Sequence, residues 1–184
     1  NADVIAASLL SGERRAILLG NFAVQHPDAS QILALAHALA EITGATLGVC
    51  TEAANTVGGH LAGALPANGG MNAQAMLGAN GAESPRAYVV LHAEPEFDCA
   101  NPVAARAALE KADLVVVLTA FRSAMRYADV LLPIAPFTET SGTFVNCEGR
   151  VQSFRGLVRP AGETRPGWKV LRVLGTMLKL AGFE

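Results

Sequence analysis

The chain has 184 residues, enough for one ordinary domain with a sizeable core. Half of it is hydrophobic (51%) and 16% is charged, which excludes a disordered tail; a formal net charge of -2 without a basic block argues against a nucleic-acid-binding surface. The mean hydropathy is +0.32, yet no apolar run approaches the roughly 20 residues that cross a bilayer, so burial against partner subunits is expected for the surplus. The first residue is Asn1 rather than Met, with no signal-peptide pattern behind it, which points to a segment of a longer protein. The three cysteines, Cys50, Cys99 and Cys147, stand far apart and form no Cys-x-x-Cys unit. Neither a zinc site nor an iron–sulfur run is therefore expected, and reduced thiols are.

Residues 1–13 are a weakly patterned lead-in. Residues 16–20 form a short apolar run ending in glycine, which predicts a buried parallel strand, with residues 21–26 as the loop at its carboxyl end. Pro27 and Asp28 open a helix on which Ile32, Leu35, Leu39 and Ile42 recur at helical spacing, with Leu33, Ala36 and Ala40 widening the apolar stripe. Gly44 ends it, and residues 46–50 make a second strand, giving a βαβ unit. The loop after the first strand carries no glycine, so the dinucleotide fingerprint Gly-x-Gly-x-x-Gly is missing; His26 and His37 read as surface residues. Residues 51–80 are glycine-dense, but no lysine or arginine lies between Arg15 and Arg86, which favours a packed connector over a phosphate cradle.

A third strand is predicted over residues 87–92. The loop after it carries three carboxylates, Glu94, Glu96 and Asp98, which read as solvated acids on a flexible segment and would repel a pyrophosphate. A metal or acid–base role for the trio with His92 needs a second oxygen-rich cluster that the sequence does not offer. Asn101 caps a helix that Pro102 starts and that runs to about Lys111. Residues 114–118 are uniformly apolar and predict a central strand; residues 129–133 predict a fifth. Arg122 and Arg126, between those two strands, are candidates for gripping an anion or for ordinary surface charge. Trp168, Leu171, Leu174 and Leu178 line one face of a last helix after a proline–glycine connector.

The stretch 137–152 follows the fifth strand. It reads as neither amphipathic helix nor alternating strand: a polar, glycine-bearing loop where an α/β domain docks ligands or partners. Within it Gly142 and Gly149 suit turns, and Glu148 and Arg150 are placed to neutralise each other. Ser141, Thr143 and Cys147 have no histidine in local sequence, and none lies after His92, so an autonomous hydrolase is not expected.

The run Ala128-Asp-Val-Leu-Leu-Pro133, Glu139, Gly142-Thr-Phe-Val-Asn146 and Glu148-Gly-Arg-Val-Gln152, continued by Gly162-Glu163, Arg165 and Trp168, resembles the C-terminal part of the molybdopterin oxidoreductase superfamily. A softer likeness runs back through Leu91-His-Ala-Glu-Pro-Glu-Phe-Asp98 and Gly58-Gly-His-Leu-Ala-Gly63 to Asn21. Over that length the sequence is similar to the large iron–sulfur subunits of bacterial NADH:quinone oxidoreductase, complex I. The superfamily's glycine- and asparagine-bearing loop after the third strand, and its threonine- and glutamate-bearing loop after the fourth, look replaced. The resemblance therefore implies a single α/β domain over residues 1–184, with a largely parallel, Rossmann-like sheet of about five strands, helices on both faces and an irregular C-terminal excursion. It implies no catalytic residue, no metal and no cofactor in this segment, with iron–sulfur clusters elsewhere in the parent protein. Glu139, Gly142, Thr143, Asn146, Glu148, Arg150 and Gln152 would be vestigial pterin-loop positions, with Glu139, Asn146, Glu148 and Arg150 now fixing loop architecture. Partners would be other subunits of the peripheral arm of complex I, at the cytoplasmic side of the inner membrane. The alternative implied by the same likeness is the cofactor-binding domain of an active molybdopterin-dependent oxidoreductase such as a formate dehydrogenase.

Overall fold

The computed structural model describes residues 1–78 and 84–183, so Asn80, at the end of the glycine-dense stretch, lies outside the described residues. It is an α/β structure whose backbone falls into two compact units: residues 1–64 with 143–152, and residues 65–142 with 153–184. All five apolar runs are strands and all pair in parallel, as continuous rather than alternating hydrophobicity predicts. They form two ladders, a two-stranded and a three-stranded one, instead of one five-stranded sheet.

In the first unit, β1 (Ala16–Leu19) and β2 (Thr46–Val49) pair in register Ala16 to Thr46, joined by α2 (Asn21–Val24) and α3 (Ala29–Thr43). Gly44 ends α3 as expected, its N–H donating to the Ala40 carbonyl. The weakly patterned lead-in is a helix, α1 (Ala2–Ser11). Its alanine and leucine content favours helix, but without a polar face it gives no periodic signal. Arg15 then ties the unit together: its guanidinium donates to the carbonyls of Leu10 (2.8 Å), Gly12 (2.8 Å) and Thr43 (2.5 Å), placing a cation at the C-termini of both α1 and α3.

Only the small-residue edge of the predicted stripe is buried on α3: Ala36 and Ala40, with Thr43, are buried, whereas Leu35 is 71% and Ile42 81% exposed. Small side chains let the helix lie close on the two strands, and the larger stripe is left for something else to cover. Beyond β2, Asn55 precedes α4 (Thr56–Leu61), and its Oδ1 accepts the Val145 N–H at 2.8 Å.

In the second unit, α5 (Ala73–Gly78) precedes β3 (Ala87–Leu91), which pairs with β4 (Leu114–Thr119), and β4 with β5 (Val130–Pro133). The connection from β3 to β4 carries α6 (Pro95–Asp98) and α7 (Pro102–Lys111). Asn101 caps α7, its side chain accepting the Ala104 N–H at 3.0 Å. Tyr88, Val115, Val117 and Leu131 turn one sheet face toward Leu109 of α7 and Met76 and Leu77 of α5; this is the core. On the opposite face Leu118 and Ile134 are fully buried, and Gly167 at the start of α8 (Gly167–Met177) sits close to Leu91, His92 and Ile134. Cover there is partial, and Val89 is 59% exposed.

The stretch 137–152 is better ordered than an irregular loop. A 3-10 turn (Phe137–Glu139) leads into β6 (Gly142–Val145), which pairs with β7 (Val151–Phe154) as a hairpin through residues 146–150. No helix among the described residues is long and apolar enough to cross a membrane.

Candidate functional site

Loops at the carboxyl ends of parallel strands are where an open α/β sheet meets ligands or partners. After β3 the chain turns at His92, whose φ of 51° is uncommon for a side chain larger than glycine. His92 Nε2 lies near the start of α8, and burial pushes its pKa below the ordinary value. The acidic segment that follows is the helical turn α6, with Pro95 buried, and is not a flexible loop. Asp98 folds back so that its carboxylate accepts the Glu94 N–H at 2.7 Å, satisfying a donor at the start of the turn. Glu96 accepts the Tyr127 hydroxyl at 2.8 Å. Two of the three acids are thus spent on structure. No group of three or more metal-ligating side chains gathers among the described residues.

Tyr127 closes the loop after β4, behind a 3-10 turn (Ser123–Arg126). Burial, then the bond to Glu96 and the carboxylates around it, hold its phenol well above the usual range, so it stays a donor. Between α6, α7 and this turn opens a cleft of about 480 Å³ lined by Glu96, Phe97, Arg106, Arg122, Met125 and Arg126, with Ser123 and Tyr127 at its wall. Arg106 is paired with Glu110 at 2.7 Å. The hydroxyl of Ser123 is buried without a hydrogen-bond partner among the described residues. Sequence reasoning put Arg122 and Arg126 forward as anion candidates but missed Arg106, which arrives from a helix 16 residues earlier. Charge in this cleft comes from Arg122, Arg126 and the Glu110-paired Arg106 on one side and from Glu96 on the other.

A second, more open groove of about 700 Å³ lies between the end of the 3-10 turn at Glu139, residues 155–166 and the first turn of α8. Arg155, Arg159, Arg165 and Lys169 line it, and the Lys169 ammonium sits 5.3 Å from the centre of the Trp168 ring. Glu139 faces inward and accepts the Ala161 N–H at 3.0 Å, fastening the proline–glycine connector.

The vestigial positions divide clearly. Asn146 organises the hairpin turn: its Oδ1 accepts the N–H groups of Glu148 (3.1 Å) and Arg150 (2.9 Å), while its carbonyl accepts that of Gly149. Gly149 takes φ of 80°, which a side chain would resist. Gly142 lies against the Phe154 ring. Thr143 carries an interaction of its own. Glu148, Arg150 and Gln152 are exposed, and no ion pair joins Glu148 to Arg150, so the expectation that these two neutralise each other is corrected: both project into solvent from the turn of the hairpin.

A pterin nucleotide needs several donors and acceptors left open toward one cavity. Here the Glu139 and Asn146 oxygens are engaged by backbone N–H groups, Gly142 is filled by a ring, and the remaining polar side chains project from the hairpin. At Glu139, Gly142 and Asn146 the fold itself takes up the groups that a nucleotide would need.

A family model described as molybdopterin oxidoreductase matches residues 2–177. A provisionally named formate dehydrogenase of Staphylococcus aureus strain MRSA252 is 39% identical over 74 residues, 40% of this chain and 8% of that protein. The homologue in strain USA300 is 39% identical over 80 residues, 43% of this chain and 8% of the relative. The mitochondrial NADH-ubiquinone oxidoreductase 78 kDa subunit of Candida albicans is 50% identical over 52 residues, 28% of this chain and 7% of that subunit. The matched part is thus under a tenth of each relative's length.

Proposed function

Because the chain belongs to the molybdopterin oxidoreductase family, we propose that it is a scaffold and interaction domain of the large iron–sulfur subunit of an NADH:quinone oxidoreductase, and that it holds no pterin itself. One observation carries this reading: Glu139 and Asn146, two of the family's loop positions, hold the Ala161, Glu148 and Arg150 amides inside the fold instead of lying open toward a ligand. The shared segment with a complex I subunit supports it, and so do the large apolar side chains left on α3, which a partner surface would cover. The electron carriers would lie elsewhere in the parent protein, since the three cysteines here form no cluster-binding run. The domain's contribution to electron transfer is then mechanical: it keeps a cluster-bearing region in position against its neighbours.

The second reading is a domain of an active molybdopterin-dependent oxidoreductase such as a formate dehydrogenase. The relatives bearing that name favour it, and the arginines of the cleft beside the β3–β4 ladder supply positive charge toward which a diphosphate would be drawn. Affinity purification of the tagged parent protein from its native membrane extract separates the two. We expect NADH:quinone reduction to co-purify without formate oxidation; formate oxidation without NADH:quinone reduction would replace the first reading with the second.

A further inference from the structure

We propose that the cleft of Arg106, Arg122 and Arg126 is the docking site for an acidic segment of a partner polypeptide, one carrying two carboxylates beside an apolar side chain. The proposal rests on the scaffold reading above and names the kind of surface that scaffold would grip. Its basis is an imbalance. Arg106 is paired with Glu110, and the one carboxylate lining the cleft, Glu96, is fixed in place by the Tyr127 hydroxyl. No ion pair among the described residues engages Arg122 or Arg126, four residues apart on one turn, which leaves positive charge in excess over Glu96 at the mouth. Ser123 beside them has a buried hydroxyl with no hydrogen-bond partner among the described residues.

The surroundings decide between a peptide and a small anion. Phe97 is 75% and Met125 66% exposed, and both line the cleft together with the arginines. Arginine, methionine and aromatic side chains side by side are the composition of protein–protein contact centres. A phosphate site gathers short, convergent donors, above all backbone N–H groups at a helix start. Here the free donors are the ends of two long, exposed side chains flanked by apolar surface. That suits a carboxylate pair with a leucine- or phenylalanine-like neighbour, the carboxylates on the guanidinium forks and the apolar group between Phe97 and Met125.

The test replaces both free arginines by lysine, Arg122→Lys and Arg126→Lys, in the full-length protein, which keeps the charge and introduces an amine at each position. The assembly that this protein forms is purified and treated with a zero-length carbodiimide, which joins an amine only to a carboxylate in contact with it. We expect cross-links from position 122 or 126 to aspartate or glutamate on a different polypeptide, with an apolar residue within a few positions. We also expect these amines to lose their reactivity toward acetylation in the assembly and regain it when the partner is dissociated. Free acetylation of both amines inside the intact assembly would overturn the proposal. So would protection of the amines in the dissociated protein by inorganic pyrophosphate, which would make the cleft a small-anion site. These outcomes read the cleft whichever activity co-purifies, so failure here is separable from failure of the scaffold reading.

Discussion

The hairpin turn offers the sharpest mutational contrast. Replacing Asn146 by alanine removes one oxygen that accepts two backbone N–H groups, those of Glu148 at 3.1 Å and Arg150 at 2.9 Å. A net hydrogen bond contributes roughly 0.5–1.5 kcal/mol, and these two are exposed enough for water to compete, so Asn146→Ala should cost about 1–2 kcal/mol of hairpin stability. Asn146→Asp keeps an acceptor in the same place and should recover most of it. Arg150→Ala should cost less than about 0.5 kcal/mol, because the guanidinium is exposed and only the backbone of Arg150 takes part in the turn. Amide hydrogen exchange read at Glu148 and Arg150 follows the turn directly, and urea titration reports whether the loss spreads. Equal damage from Asn146→Ala and Arg150→Ala would refute the argument, as would unchanged exchange at both amides in Asn146→Ala.

Three further outcomes follow from the same structure. A Cβ at Gly156 would lie 2.9 Å from the Glu139 carbonyl carbon and 3.0 Å from the Thr140 nitrogen, so Gly156→Ala must move backbone; it should destabilise by roughly 1–3 kcal/mol in denaturant titration. Burial raises the phenols of both tyrosines, Tyr88 and Tyr127, above the ordinary 10.0. The unfolded chain therefore ionises first, and stability should fall as pH rises past about 10, with phenolate absorbance lagging behind that of the denatured protein. For His92, burial lowers the folded value below 6.5, so the unfolded state takes up the proton first and stability should decline on the acid side of that value. Imidazole resonances followed by NMR should show His92 titrating below its unfolded reference; a normal midpoint would contradict the burial.

Much of the fold is legible in local pattern. Each of the five strands is a short, continuous apolar run, and each is seen, because such a run bounded by turn residues is recognised without long-range information. The α7 helix is announced by Asn101-Pro102 and begins there. What local pattern misleads on is what tertiary contact decides. On α3 the apolar stripe is broad, and close approach to β1 and β2 selects its alanines, Ala36 and Ala40, with Thr43, over its large side chains. The β6–β7 hairpin is hidden because each strand is four residues long and the polar turn between them dominates the composition. In the cleft, Arg106 lies on α7, while Arg122 and Arg126 flank a turn after β4; only the folded ladder brings them to one opening. The acidic run 94–98 read as three free charges because the partners of Glu96 and Asp98, the Tyr127 hydroxyl and the Glu94 amide, are supplied by folding.

The central claim is that this domain is a member of its family whose loop residues build structure and hold no pterin. Elemental analysis of the full-length protein, purified in its native assembly, tests it most directly when molybdenum and iron are measured together and pterin is released by oxidation and read by fluorescence. The expected result is iron without molybdenum and without pterin fluorescence. Molybdenum and pterin in stoichiometric amounts would contradict it and make the Arg106, Arg122 and Arg126 cleft the first place to look for the nucleotide end of the cofactor.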